Sequence, residues 1–258
     1  MALAAAAAGA AYELEPGSHR PGARAGANPH RPLTASASGA PRAPRLPPIG
    51  PARPGTAHVV FHGLRVREIA LTFDDGFCAR CVARLVRDVE RTGAHVTFFP
   101  NGVYGRSWDP QARAIRRLIA RGQVAIGNHT YTHSDAVTES PGALQQDLAR
   151  NEAWIQRTFG VSARPFFRPP YGAYDSSALA VAGQLGYTKV ILWSGTLADS
   201  SLRSIPYVIH AINYWARPGA IILGHGNYPA TSVALPRMLT ILRHRDLRPV
   251  TLPELLGT

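Results

Sequence analysis

The stretch Thr-Phe-Asp-Asp-Gly at residues 72–76 is the most informative part of this chain. It places two adjacent carboxylates, Asp74 and Asp75, at the end of an apolar run that starts at Glu68 and predicts a β-strand. Adjacent acids repel, and a fold tolerates the pair most easily when a cation takes one carboxylate and a proton or hydrogen-bonding partner takes the other. Asp-Asp-Gly is also a common turn sequence, so the pair favours a metal site only if other ligands lie close by.

Two histidines can supply those ligands. His129 and His133 are four residues apart, which lets both imidazoles point at one ion from a helical turn or a tight loop. A spaced histidine pair alone is more often a solvated or core pair, and the Glu of a zincin motif is missing because Thr130 follows His129. One aspartate and two histidines after separate strands nevertheless make an open three-ligand metal site.

Apolar runs alternate with amphipathic stretches from Val59 onward, which predicts an α/β fold. Seven runs predict strands: Glu68 to Phe73, His95 to Pro100, Val124 to His129, Pro165 to Pro169, Lys189 to Ser194, Ala220 to His225 and Arg248 to Leu252. Helical patterns lie between them, at residues 82–89, 114–119, 141–159, 176–185, 206–215 and 235–244. This alternation predicts a parallel sheet, and enough units can close it into a barrel.

Polar residues with catalytic chemistry follow these strands. They are Asp74, Asp75, His129, His133, Arg168, Asp199 and His225. In a parallel α/β barrel the carboxyl ends of the strands form one face, so we expect these residues to converge on one pocket.

The beginning of the chain has a different composition. Residues 1–57 are rich in Ala, Pro, Gly and Arg and have little apolar periodicity, so they cannot bury enough surface to offset their chain entropy. We expect a disordered N-terminal segment there and one catalytic domain over residues 58–258. The first dozen residues fit the remnant of an export signal about as well as a low-complexity start, and no later stretch resembles a transmembrane span.

The chain is strongly basic, with a formal net charge of +12 and Lys189 as its only lysine. Such a protein should adhere to polyanions, including anionic cell-wall polymers, and six arginines lie within residues 1–57. The basic residues of the domain are scattered along helix faces and no nucleic-acid-binding motif is present, so we do not expect specific nucleic-acid binding.

Cys78 and Cys81 form a Cys-x-x-Cys sequence beside the proposed site. No thioredoxin-like strand pattern frames them, which argues against a redox enzyme. A local disulfide and two free thiols both remain open.

Five short motifs resemble those of the NodB-type polysaccharide deacetylases, also called carbohydrate esterase family four. They are Thr-Phe-Asp-Asp-Gly at 72–76, His-Thr-Tyr-Thr-His at 129–133, Arg-Pro-Pro-Tyr-Gly at 168–172, a partial motif from Trp193 to Asp199, and Leu-Gly-His at 223–225. The resemblance covers the catalytic domain and not the N-terminal segment. It implies a distorted (β/α)₇ barrel and metal-dependent removal of acetyl groups from acetylated sugars.

The resemblance implies that Asp75, His129 and His133 bind the metal, with zinc as the ion. The chemistry agrees, because two neutral imidazoles and one carboxylate leave Zn²⁺ a net positive charge and open positions for water and an acetyl carbonyl.

The resemblance also assigns the proton transfers. It implies that Asp74 is the general base, that Arg168 orients Asp74, and that the backbone N–H of Tyr171 stabilises the oxyanion. His225 is implied as the acid that protonates the leaving group, and Asp199 can hold it in its charged form. Arg168 can alternatively be a structural salt-bridge partner at the barrel rim.

The fourth motif departs from the family pattern. Family members often have Asp-x-x-Asp-Trp, whereas this chain keeps only Asp199 and has Ser200 in place of the tryptophan. The change removes an aromatic wall, so we expect a wider acetyl pocket. Tyr171, Trp193 and Tyr174 are candidate sugar-binding residues, although aromatic residues more often serve packing.

Three functions remain to be separated. We favour a polysaccharide deacetylase that acts outside the cytoplasm, as a monomer, on cell-wall peptidoglycan or chitin-like polymers. The alternatives are an acetylxylan-type O-esterase, which would use the same groups on a different leaving oxygen, and a non-catalytic glycan-binding relative, which would need neither base nor acid.

Overall fold

The structure is a computed structural model, and it describes residues 45–64 and 67–258. Its strands in these ranges are β1 His58–Val60, β2 Glu68–Asp75, β3 Val96–Pro100, β4 Val124–Ile126, β5 Phe166–Phe167, β6 Lys189–Ile191, β7 Gly195–Thr196, β8 Ile221–His225 and β9 Arg248–Val250. Each of the seven predicted strands is present, and β1 and β7 are additional. These two are only three and two residues long, too short for a periodic sequence signal.

The strand pairs of both sheets are parallel. One sheet has the order β4-β3-β2-β8-β7, with β9 also pairing with β2, and the other has the order β1-β6-β5. A parallel bridge between Asn128, just after β4, and Phe167 in β5 connects the two sheets. The result is the expected distorted (β/α)₇ barrel, in which the fully buried strand β2 lies in the middle of the larger sheet.

Helices connect the strands, as a parallel sheet requires. They are α1 Ala79–Thr92, α2 Gly105–Trp108, α3 Ala112–Ala120, α4 Pro141–Phe159, α5 Ser176–Gln184, α6 Ile205–Trp215, α7 Pro229–His244 and α8 Leu252–Leu256. Helix α7 begins six residues before the predicted pattern at 235–244, because Pro229 occupies its first turn and Pro236 is accommodated inside it. None of the described helices is long and apolar enough to cross a membrane.

Residues 45–57 lie against the domain, although they were expected to belong to the disordered segment. The side chain of Leu46 packs on the hydrophobic core, and Gly55 N–H donates to the carbonyl of Gly183 in α5 at 3.0 Å. These contacts stabilise the segment without any regular apolar pattern. Residues 1–44 lie outside the described residues, so their predicted disorder and the domain boundary stay predictions.

Trp108 is part of the hydrophobic core. Its side chain is fully buried, with the ring centroid 5.2 Å from Phe98 and 6.4 Å from Phe159. A buried tryptophan needs a partner for its N–H. Nε1 donates to the backbone carbonyl of Asp75 at 2.7 Å, so this core residue also fixes the end of β2.

Candidate active site

A pocket of about 460 Å³ opens where the carboxyl ends of the strands meet. Five of the seven expected polar residues line it, namely Asp74, Asp75, His129, His133 and His225, whereas Arg168 and Asp199 are buried and are not part of the lining. A larger groove, of about 840 Å³, lies on the opposite face near Arg67 and Arg243 and contains none of them. The smaller pocket has the size of a ligand-binding site and contains most of the polar residues that were expected to converge at the strand ends.

Asp75, His129 and His133 form the one group in the described residues whose side chains could hold a metal ion, with ligand atoms within 4.8 Å of one another. Asp75 Oδ1 is 3.3 Å from His129 Nε2 and 3.2 Å from His133 Nε2. Two ligands bound to a tetrahedral zinc at its usual bond lengths would be about 3.3 Å apart. The spacing therefore fits a zinc-sized ion.

The chemistry of the three groups fits a cation as well. Asp75 Oδ1 is buried and has no hydrogen-bond partner among the described residues. Burial alone would raise the pKa of the Asp75 carboxyl, but the facing imidazoles of His129 and His133 hold it well below its usual range. His129 Nδ1 lies 2.7 Å from the carbonyl of Arg168, so Nδ1 carries a hydrogen and Nε2 faces Asp75, where it could bind a cation in place of its proton.

Two residues that the sequence did not single out position Asp75. Asn227 Nδ2 donates to Asp75 Oδ2 at 2.7 Å, while its Oδ1 accepts from Gly76 N–H at 3.0 Å. Trp108 holds the Asp75 carbonyl, as described above. Asn227 follows His225 by two residues at the end of β8, and this position at a strand end was the available signal.

The two histidines of this group lie on a loop rather than a helix. Asn101 Nδ2 donates to the carbonyls of His129 and Thr130 at 2.5 and 3.0 Å. Asp147 accepts from the N–H groups of Tyr131 and Thr132, both at 3.1 Å. The loop is therefore held by a side chain that directly follows β3 and by one from α4, and neither Asn101 nor Asp147 was predicted.

Asp74 and Arg168 form a buried ion pair beside the ligand triad. Arg168 Nη1 donates to Asp74 Oδ1 at 2.7 Å and to Thr72 Oγ1 at 2.8 Å. Arg168 is fully buried, and its Nε also donates to the carbonyl of Ile191 at 3.1 Å. Asp74 Oδ2 lies 3.7 Å from His129 Nε2. One oxygen of Asp74 is thus fixed and the other faces the ligand triad.

His225 and Asp199 form a second pair across the pocket. His225 Nδ1 is 2.8 Å from Asp199 Oδ1, and Asp199 Oδ2 accepts from the His225 N–H at 3.0 Å and from Thr231 Oγ1. Thr231 was not predicted. Burial by itself would lower the pKa of His225, but the hydrogen bond to Asp199 and the charges of Asp199, Asp74 and Asp75 raise it to about 9. The imidazole is therefore protonated at neutral pH and can act as an acid.

Replacing Asp199 with asparagine should move the alkaline limb of the activity profile to lower pH. Asparagine keeps the volume but removes the charge that holds the proton on His225, so the acid is lost at a lower pH. The measurement is kcat as a function of pH for the wild type and for Asp199→Asn. An unchanged alkaline limb would show that Asp199 does not set the pKa of His225.

The N–H of Tyr171 makes no hydrogen bond within the described part of the chain, whereas the following two N–H groups donate to Pro169 and Pro170. Tyr171 lies in the left-handed region with φ of 60°. Four more non-glycine residues around the pocket share this conformation: Asp75, Thr130, His133 and Ala198. Backbone strain of this kind often accompanies functional sites.

The three candidate sugar-binding residues differ in position. Tyr171 and Trp193 line the pocket, and the Tyr171 ring stands 4.9 Å from the His133 ring. Tyr174 does not line it, because the chain has turned away by then toward Asp175, whose side chain caps α5. Ser200 lines the pocket and is exposed, so no aromatic wall stands at this position.

Cys78 and Cys81 are joined by a disulfide at the start of α1, with their Cα atoms 5.2 Å apart. Cys78 is also the N-cap residue of this helix. Of the two states left open by the sequence, the structure has the disulfide.

The sequence profile of the polysaccharide deacetylases matches residues 63–190. A chitooligosaccharide deacetylase of Rhizobium leguminosarum bv. trifolii is 30% identical over 182 residues, which are 70% of this chain and 81% of that protein. The chain belongs to the polysaccharide deacetylase family. The resemblance seen in the five motifs is thereby confirmed.

Solved structures support the fold of this polysaccharide deacetylase family member. The Bc1960 peptidoglycan N-acetylglucosamine deacetylase has a TM-score of 0.69 at 27% identity and covers 79% of this chain and 94% of its own. A carbohydrate esterase family four pseudoenzyme from Bacillus anthracis has a TM-score of 0.68 at 21% identity, and the match covers 78% of this chain and 69% of the pseudoenzyme. The second likeness concerns the fold alone, so the residues of the site must decide the activity.

Proposed function

We propose that this family member hydrolyses the acetamido group of N-acetylated glycans, with peptidoglycan or chitin-like chains as substrates. One observation carries the proposal: the Asp75/His129/His133 triad, the Asp74–Arg168 pair and the His225–Asp199 pair converge on one pocket. A protein that only bound glycans would need neither a base nor an acid.

Asp75, His129 and His133 would hold a divalent cation, with zinc as the proposed ion. When bound, the cation supplies a Lewis acid and lowers the pKa of water toward neutrality. Hydrogen bonds from neighbouring groups would keep two of these side chains in place: Asn227 donates to Asp75, and the Arg168 carbonyl accepts from His129.

Asp74 is suited to take the proton from the attacking water. Its Oδ1 is held by Arg168 and its Oδ2 faces the pocket, so one orientation of the base is preorganised. Attack on the acetyl carbon produces a tetrahedral intermediate, and the N–H of Tyr171 is available to donate to its oxyanion.

His225 then protonates the sugar nitrogen as the carbon–nitrogen bond breaks, which yields acetate and a free amine. An amide anion is too basic to leave without this proton. The raised pKa of His225 keeps the imidazolium available for this step. O-deacetylation of a polymer such as acetylated xylan, which would use the same groups with an alkoxide as the leaving group, is the second candidate.

Peptidoglycan lies outside the cytoplasmic membrane, so this function requires export or attachment at the cell wall. The relative Bc1960 is a peptidoglycan N-acetylglucosamine deacetylase, which supports this location. The basic chain would also favour anionic wall polymers.

Acetate release should be greatest with N-acetylglucosamine oligomers or peptidoglycan fragments, and removal of divalent metal by a chelator should abolish it. Added zinc should restore the activity, because the bound cation would supply the Lewis acid of the proposed reaction. The measurement is acetate released from each glycan before and after chelation. Faster release from acetylated xylan would favour the O-esterase, and no release from any glycan would favour a non-catalytic relative.

A further inference from the structure

Three aromatic residues form a cluster beside the pocket, and none of them lines it. Phe77, Tyr104 and Tyr228 come from the loops after β2, β3 and β8, and are called the Phe77 cluster here. The Phe77 ring centroid is 6.0 Å from that of Tyr104 and 5.4 Å from that of Tyr228, both in edge contacts. Phe77 follows the triad residue Asp75 by only two positions.

The surface of this cluster is both apolar and polar. Phe77 remains 46% exposed despite its two aromatic neighbours. The hydroxyls of Tyr104 and Tyr228 make no hydrogen bond within residues 45–64 and 67–258. A sugar ring has matching chemistry, since its C–H faces are apolar and hydroxyls project from its edge.

The backbone that carries Phe77 is fixed on both sides. Asn227 Oδ1 accepts from the N–H groups of Gly76 and Phe77, at 3.0 and 3.3 Å. On the other side, Cys78 is tied to Cys81 by the disulfide at the first turn of α1. A preorganised aromatic side chain loses little entropy when it binds a ligand.

We propose that the Phe77 cluster is a subsite for the sugar ring next to the ring being deacetylated, and that the Cys78–Cys81 disulfide positions it. The inference rests on the proposed function, because it assumes that the pocket holds the reacting sugar. The cluster lies outside the pocket lining, so its ligand is a neighbouring unit of a glycan chain. Neither the five motifs nor the catalytic chemistry accounts for Phe77 or the two cysteines.

The test compares a glycan chain with a small acetate ester that contains no sugar. For wild type, Phe77→Ala and Phe77→Tyr, kcat/KM is measured with the N-acetylglucosamine tetramer and with 4-nitrophenyl acetate. The ratio of the two values should fall about tenfold in Phe77→Ala, as expected for the loss of one aromatic contact, and Phe77→Tyr should restore it. Tyr214→Ala removes an exposed aromatic ring at the end of α6 and should not change the ratio. An unchanged ratio in Phe77→Ala overturns the proposal.

Calorimetric binding of the tetramer to the full chain tests the subsite without catalysis. Affinity should fall about tenfold in Phe77→Ala. It should fall severalfold in Cys78→Ser/Cys81→Ala, in which serine keeps an N-cap acceptor while the disulfide is lost. Reduction of the wild type should reproduce that loss if the double variant does not fold. Equal affinities in wild type, Phe77→Ala and the reduced protein would overturn the inference.

The two proposals fail in different ways. If no acetyl group is removed from any substrate, the proposed function fails, and calorimetry still decides whether Phe77 binds the sugar chain. If acetate is released normally but Phe77→Ala binds the tetramer as well as the wild type does, only the subsite fails.

Discussion

Asp74→Asn should lower kcat for acetate release by about a thousandfold, within the usual range for loss of a general base, while the protein keeps its metal. Asparagine has nearly the volume of aspartate and its carbonyl can still accept from Arg168, so the structure of the pocket should persist. The amide cannot take a proton from water. The measurements are kcat for a glycan oligomer and metal content per chain.

Asp88→Asn is the matched control for this variant. Asp88 is also a buried aspartate that pairs with arginines, at 3.7 Å from Arg84 and 3.3 Å from Arg91, but it lies on α1 away from the pocket. Its substitution should leave kcat unchanged. Acetate release by Asp74→Asn at a rate near that of the wild type would rule out Asp74 as the base.

The double substitution Asp75→Ala/His129→Ala should reduce bound zinc from about one ion per chain to nearly none, and acetate release should fall to background. Two of three protein ligands are then missing, and His133 alone cannot compete with water for the ion. Bound metal is measured by elemental analysis after gel filtration. Acetate release measured with excess zinc shows whether a high zinc concentration restores the activity of the variant.

His95→Ala/Glu254→Ala is the control for the double substitution. These residues form another histidine–carboxylate pair, with His95 Nδ1 2.9 Å from Glu254 Oε2, and both lie outside the pocket. The control should retain one zinc per chain. Stoichiometric zinc in the Asp75→Ala/His129→Ala protein would place the metal elsewhere and overturn the ligand assignment.

Residues whose positions depend on strand periodicity could be predicted from the sequence. Asp74 and His225 are paired neighbours on β2 and β8, although 151 positions separate them in the chain. Their convergence follows from the rule that parallel strands end on one face. The family resemblance, rather than this rule, implied that Arg168 would reach Asp74, and the 2.7 Å contact agrees with that expectation.

Supporting residues could not be predicted in this way. Asn227, Thr231 and Asn101 act through hydrogen bonds whose partners are set by the three-dimensional path of loops, and no spacing in the sequence encodes such contacts. The position of Tyr174 outside the pocket lining also depends on how the chain turns after Tyr171, and its role in sugar binding stays a prediction. The packing of residues 45–57 likewise depends on a surface that exists only after the domain has folded.

The left-handed residues around the pocket limit how this domain can be engineered for heat resistance. Each such conformation costs about 1–3 kcal/mol, so five of them together approach the net stability of a typical domain. Glycine at Tyr171 would relieve strain, but it would also make the loop more mobile and misdirect the N–H that is proposed to bind the oxyanion. Substitutions that stabilise the outer helices should therefore raise heat resistance with less loss of activity than substitutions that remove the left-handed conformations around the pocket. At the pocket, the same strained backbone that lowers stability also positions the groups proposed for catalysis.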